Sequence, residues 1–180
     1  MPILRMLPLF LIGASSLGSF LLGLAVLATR IGRSGARRFG GLSLAIAWWG
    51  ALNVLEYLAR GLPAKMFLGN LEYLGIVSVP VLWHAFGRAL RLDGGGAAGR
   101  SFSPWLFAPS VLVAILVWFD PALGLVRSDF RLLDPGGLAP IGKTYGPVFW
   151  AWSAWSYFLI LSGTYRLLAW MLRTIRARSV

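Results

Sequence analysis

Apolar residues in this chain come in runs of about twenty, and that spacing limits what it can fold into. A run of that length matches roughly 30 Å of hydrocarbon. Inside hydrocarbon a backbone must satisfy its own polar groups, so each run reads as a helix. Five segments read as spans: 7–29, 39–59, 67–90, 104–119 and 147–170. The chain is 58% hydrophobic and 13% charged, about half the charge of an ordinary soluble domain. The expectation is one all-α membrane domain over 1–180, a bundle of about five transmembrane helices. The first run is longer than the roughly 7–15 residues of a signal-peptide core. Arg30, Arg33, Arg37 and Arg38 follow it, so it reads as an anchor.

The basic residues set the orientation. With the first connection inside, Arg30, Arg33, Arg37, Arg38, Arg88, Arg91, Arg100, Arg166, Arg173, Arg176 and Arg178 fall in the cytoplasm. Arg5, Arg60, Lys65, Arg127, Arg131 and Lys143 fall outside. That asymmetry predicts N-terminus out and C-terminus in, in a bacterial cytoplasmic (inner) membrane. The net charge of +11 then serves anionic lipid headgroups. Nucleic acid is not expected as a partner, since no basic stretch is long enough to track a phosphate backbone. Cysteine is absent, which removes disulfides and thiolate metal sites.

Prolines and small residues give finer expectations. Pro104 and Pro147 sit at helix starts, where the missing N–H costs nothing. Pro80 and Pro109 read as internal and kinking. Small residues at four-residue spacing (Ser15, Ser19 and Gly23, with Ala14 and Gly18 beside them) mark a close-packing face on the first helix. That face suits contact within the bundle, with other membrane subunits, or with a second copy of the chain. Residues 93–99 read as a flexible inner loop. The outer connection 120–146 is long enough to be functional and reads as a short hairpin over the bundle mouth.

One motif is a coincidence. Gly137, Gly142, Lys143 and Thr144 fit the phosphate-binding pattern G-x-x-x-x-G-K-[ST]. That chemistry needs a helix N-terminus after the loop and an aspartate for magnesium. Pro140 removes an amide donor, and no carboxylate follows Thr144.

The candidate site residues are the ionisable and polar groups within spans. Glu56 and Glu72 lie about one and a half turns from the outer ends of antiparallel helices, at similar depth. A charge there is costly and by default functional. One reading is a salt bridge to Arg60 or Lys65; the other is a ligand-binding or proton-responsive pair, with Asn53 and Asn70 adding polar lining. Tyr145 and Trp150, near Trp152 and Trp155, read as an interfacial belt or as the wall of a ligand pocket. His84 is the single histidine. It reads as a packing residue, or as a candidate ligand for haem or a pigment metal.

Two segments carry a resemblance: LEYLGIVSVPVLWHAF at 71–86 and KTYGPVFW at 143–150. Together with Glu56 near the end of the second helix, they resemble the N-terminal seven-helix membrane region of bacterial sensor histidine kinases. The likeness runs from the second span onward. It implies a membrane sensory module for signal transduction, with its input site among the outer loop and upper helices. The chain departs from that pattern in having five expected spans, and only residues 171–180 follow Trp170. The expectation is therefore a non-enzymatic sensor or ligand-binding module without a kinase part. The competing expectation is an accessory or structural subunit of a larger membrane complex, one that could contact a pigment or haem.

Overall fold

The computed structural model describes residues 2–29, 34–92, 104–134 and 138–178. Residues 93–99, expected as an inner loop, and Gly137 of the dismissed motif lie outside the described residues. Four long helices dominate: α1 (Pro2–Ala28), α2 (Ser34–Leu58), α3 (Leu62–Leu92) and α6 (Pro147–Arg178). Between α3 and α6 come α4 (Ala108–Leu116), α5 (Asp120–Leu123), and strands β1 (Arg127–Leu132) and β2 (Ile141–Tyr145). Two stretches, Met6–Ala28 and Leu62–Leu90, are long and apolar enough to cross a bilayer by length and composition alone.

Helix α2 packs along α1 on one side and α3 on the other, and α3 also packs along α6, with α4 against both α3 and α6. Helix α3 thus stands at the centre and α1 at the rim. The contact face of α1 shares Gly23 with the expected small-residue line but otherwise differs from it. Its buried positions are Leu9, Ser16 and Gly23, seven residues apart, while Ala14, Ser15 and Gly18 are exposed. Two turns of helix separate such residues, so they form one straight seam. Ser16 donates its hydroxyl proton to the Ala47 carbonyl at 2.6 Å, which ties that seam to α2.

The fourth apolar run does not form one helix over 104–119. It makes a 3-10 turn at Pro104–Phe107, the nine-residue α4, and then leaves helical geometry after Val117. Pro109 therefore starts a helix instead of kinking one, a correction to the sequence reading. It stands in the first turn of α4, where its missing N–H has no intrahelical acceptor to lose. At about 1.5 Å per residue, α4 reaches only about 14 Å. Pro80 stays inside α3 as expected.

The all-α expectation gains a two-stranded antiparallel sheet, the hairpin foreseen in the long connection. Arg127 pairs with Tyr145 and Leu132 with Ile141, and the register slips between Ser128 and Arg131. Asp129 takes a positive φ of 52° at that slip, a bulge geometry that aspartate tolerates better than most residues. Gly142, Lys143 and Thr144 lie in β2, so the phosphate-loop lookalike has strand geometry where a helix N-terminus would be required. Beneath the hairpin, Tyr73, Val77, Val113, Val117, Val126 and Trp152 form a buried apolar cluster. It joins α3, α4 and α6.

Candidate functional site

The last turns of α2, the first turns of α3 and the inner face of the hairpin bring ionisable groups together. Glu56 and Lys65 are each 1% exposed, Glu72 4%, Asp120 2% and Arg127 0%. Charged groups buried this far must be paired, hydrogen-bonded or neutralised. The partners of each group define the site.

Arg127 opens β1 and points inward. Its Nε donates to Asp120 Oδ2 at 2.9 Å, and Asp120 Oδ1 accepts the Val126 N–H at 3.0 Å. The Arg127 Nη2 group donates to Asn70 Oδ1 and approaches the Val117 carbonyl at 3.4 Å. The guanidinium carbon lies 4.7 Å from the centre of the Tyr73 ring and 5.4 Å from that of Phe130. Its Nη1 has no hydrogen-bond partner among the described residues.

Lys65 fastens the hairpin to the bundle. Its ammonium donates to the carbonyls of Glu56 at 2.6 Å, Tyr57 at 3.1 Å and Ala139 at 2.8 Å. The first two are orphan carbonyls of the α2 C-terminus, where a cation is favoured by the helix dipole. Lys65 thus meets the main-chain oxygen of Glu56, within the first turns of α3 and not in the loop before it.

The Glu56 carboxylate turns toward the hairpin. Its Oε1 accepts the Ile141 N–H at 3.0 Å. Its Oε2 lies 3.8 Å from the place where a Cβ on Gly69 would stand, and Arg127 Nη1 lies 3.5 Å from the same point. The bare backbone of Gly69 therefore floors a notch with a cation on one side and a carboxylate on the other. The Glu72 carboxyl has Glu56 and Asn53 as its side-chain neighbours. Its Oε1 has no donor among the described residues.

Lys143 on β2 faces this group, next to Glu56, Arg127 and Glu72. Burial lowers its pKa from the ordinary 10.5; Glu56 and Glu72 oppose the shift and Arg127 adds to it. The Tyr145 phenol, also on β2, is pushed up by burial, with Arg127 opposing.

The structure therefore joins Glu56, Glu72, Asn53 and Asn70 in one cluster, with Tyr145 at its edge. Trp150 stands apart. It is 63% exposed and packs edge-on against Tyr145 and Phe149, whose own rings stack at 3.9 Å. His84 is elsewhere, twelve residues along α3 from Glu72, about 18 Å at helical rise. Its Nδ1 and Ser162 Oγ are 2.6 Å apart. Because Ser162 donates its own proton to the Leu159 carbonyl, the histidine donates from Nδ1. Arg88 and Arg166 add positive charge around the ring, a poor setting for a metal cation.

Sequence reasoning missed Asp120, Arg127 and Lys143, reading them as topology markers in a loop. One signal was available. Asp120 and Arg127 flank the apolar stretch PALGLV, and opposite charges bracketing a short apolar turn can close on each other. Two grooves lie away from the cluster. One of about 680 Å³ runs between α1 and α2, lined by Leu17, Phe20 and Leu55; another of about 610 Å³ runs between α3 and α4, lined by Leu74, Val111 and Ile115. Their walls are apolar, in contrast to the cluster under the hairpin.

The family described as the N-terminal 7TM region of histidine kinase matches residues 11–179, nearly the whole chain. The chain belongs to that family. Membership makes it a membrane protein and a sensory input region, a part that is not catalytic by itself. No curated protein and no solved structure matches the chain. The two segments that carried the resemblance have clear duties in this 7TM-family chain. Glu72 and Tyr73 of the first segment enter the polar cluster. In the second, Gly146 lets the main chain pass against the segment just before β1: a Cβ there would stand 2.3 Å from the Leu125 carbonyl oxygen. Pro147 then opens α6.

Proposed function

We propose that this chain is the stimulus-receiving module of a bacterial inner-membrane receptor, with the hairpin outside and the α6 C-terminus in the cytoplasm. The input site is the cluster of Glu56, Glu72, Asn53, Asn70, Arg127 and Lys143. The output is a displacement of α6.

One observation carries this reading: the hairpin and α6 have no flexible joint between them. Strand β2 ends at Tyr145, and α6 begins two residues later. Gly146 N–H donates to the Val126 carbonyl at 2.9 Å and Val148 N–H to the Leu125 carbonyl at 3.1 Å. A shift of β2 over the cluster must therefore move the first turn of a 32-residue helix. That helix spans about 48 Å, enough to carry the movement through the bilayer. The orientation is supported by the fate of the hairpin-side cations. Lys65 and Arg127 are spent on internal partners and Lys143 faces the buried carboxyls, whereas many of the arginines assigned to the cytoplasm crowd the helix ends at the opposite side.

Cysteine is absent, so a pair of labels can be placed without background. Spin labels at Leu138→Cys on the hairpin and Arg173→Cys on α6 report their separation in lipid nanodiscs. The probes are a panel of amino acids, short carboxylates, divalent cations, salt and pH. At least one condition should shift the distance distribution, and Glu72→Gln should abolish that shift. A distribution indifferent to every condition would remove the input-site reading.

A further inference from the structure

Two buried groups under the hairpin lack partners among the described residues, and they are chemically complementary: Glu72 Oε1 on α3 and Arg127 Nη1 on β1. Both side chains are more than nine-tenths buried. An orphaned donor or acceptor at such burial costs free energy unless another state of the molecule, or a bound species, satisfies it. The remaining contacts of Glu72 show how the orphan arises. It leans on Glu56, a second carboxyl group. A carboxylate only accepts hydrogen bonds, so two carboxyls can bond only when one carries a proton. A hydrogen bond between these two carboxyls therefore needs one shared proton.

We infer that the Glu56–Glu72 pair is a proton-binding site, and that loss of its proton transfers Glu72 from Glu56 on α2 to Arg127 Nη1 and Lys143 on the hairpin. This rests on the input-site reading above and names the ligand of that site: a proton from the hairpin side of the membrane.

The surroundings of the pair favour two arrangements. In the protonated one, Glu72 bonds Glu56 and Asn53, and Glu56 holds the Ile141 N–H. In the deprotonated one, two like charges in contact repel. Glu56 is the less free to move, since its carboxylate is anchored by the hairpin N–H and its helix end by Lys65. Glu72 is drawn toward the hairpin cations. Lys143 already interacts with it across the cluster, and Arg127 offers a donor not otherwise used. The other ionisable groups facing the site hold their places in both states. Asp120 keeps Arg127 Nε, Lys65 keeps its carbonyls with Asp134 as a nearby carboxylate, and Tyr73 and Tyr145 border the cluster as phenols. No bond is made or broken except to the proton, which passes to water. The change exchanges an α2–α3 contact for an α3–hairpin contact, and the hairpin leads directly into α6. A proton also needs no cavity, which suits a cluster packed this closely.

Infrared difference spectra of the full chain in nanodiscs test this directly, because a protonated carboxyl has a C=O stretch that a carboxylate lacks. The wild type should show that band at acid pH and lose it on alkalinisation. The Leu138→Cys/Arg173→Cys label distance should change with the same midpoint. Glu72→Gln should remove both changes, since the amide that replaces the carboxyl donates to Glu56 at every pH; Glu56→Gln, a second neutral isostere, should do so too. Absence of the band at all pH values, or its unaltered titration in both variants, would overturn the inference. So would a label distance independent of pH. If distance responds to a solute but not to pH, the input site stands and the proton is not its ligand. If it responds to nothing, both readings fall.

Discussion

Helices α3 and α6 meet at two ends, and the two ends are built from opposite materials. Toward the hairpin, the space between α2, α3 and β2 is filled by carboxyls, a lysine and a guanidinium, two of them with a hydrogen-bonding group unused. At the far end the helices touch backbone to backbone. A Cβ on Gly87 would stand 2.5 Å from the Gly163 carbonyl oxygen. Trp83 Nε1 donates to Thr164 Oγ1 at 3.1 Å, and His84 bonds Ser162 across the same seam. A glycine contact has one arrangement, because no rotamer can relieve it; a charged cluster has several. The contrast assigns a pivot to the far end and a movable element to the hairpin end.

The largest blow to this contrast comes from Arg127→Met. It strips the partner from Asp120, a carboxylate 2% exposed, and leaves a buried charge uncompensated. Such truncations cost about 3–5 kcal/mol, so thermal unfolding in detergent should shift strongly and the hairpin should become protease-sensitive. Wild-type stability in this variant would mean that Arg127 is not what holds the hairpin. The next largest effect belongs to Gly87→Ala. The added methyl meets a main-chain oxygen, so the helices must separate, at about 1–3 kcal/mol by analogy with overpacked cores. Labels near the far end should then sit farther apart. An unchanged unfolding midpoint with unchanged distances would deny the pivot.

Much of the framework was readable in the sequence because it follows from solvent and periodicity. The long apolar runs became α1, α2, α3 and α6, Pro147 opened α6, and the gathering of Glu56, Glu72, Asn53 and Asn70 followed from equal depth on antiparallel helices. What could not be read depends on tertiary contact. Pro109 looked internal because the apolar run continues through it, yet only packing determines that the chain before it makes a 3-10 turn. The seam of α1 runs through Leu9, Ser16 and Gly23 and keeps only Gly23 of the expected small-residue line, since composition shows which faces can approach a neighbour and not which one does. Arg127 and Lys143 stand in a loop by sequence, where charge normally signals solvent. Their burial depends on a hairpin folding back over the helix ends, a long-range event whose one local trace is the Asp120–Arg127 bracket around PALGLV.

Lys143 offers the finest probe of the same contrast, through pH. Burial holds its folded-state pKa below the ordinary 10.5. Between the folded value and 10.5 the unfolded chain binds more protons than the folded one. Stability therefore rises with pH through that window, by linkage. Below the folded value lysine is charged in both states, and the whole burial cost is felt; above 10.5 it is neutral in both, and the cost is gone. Lys143→Met removes the titrating group, so the difference in stability between wild type and variant should move in favour of the wild type as pH climbs toward 10.5. The gain should be at most about 1.4 kcal/mol for each unit by which the pKa is lowered, and smaller after solvent screening. It is read from denaturation midpoints of the two proteins across alkaline pH. A constant difference would mean that Lys143 is solvated in the folded state, and the charged element at the hairpin end would then be a surface feature with no more freedom to switch than the glycine seam below it.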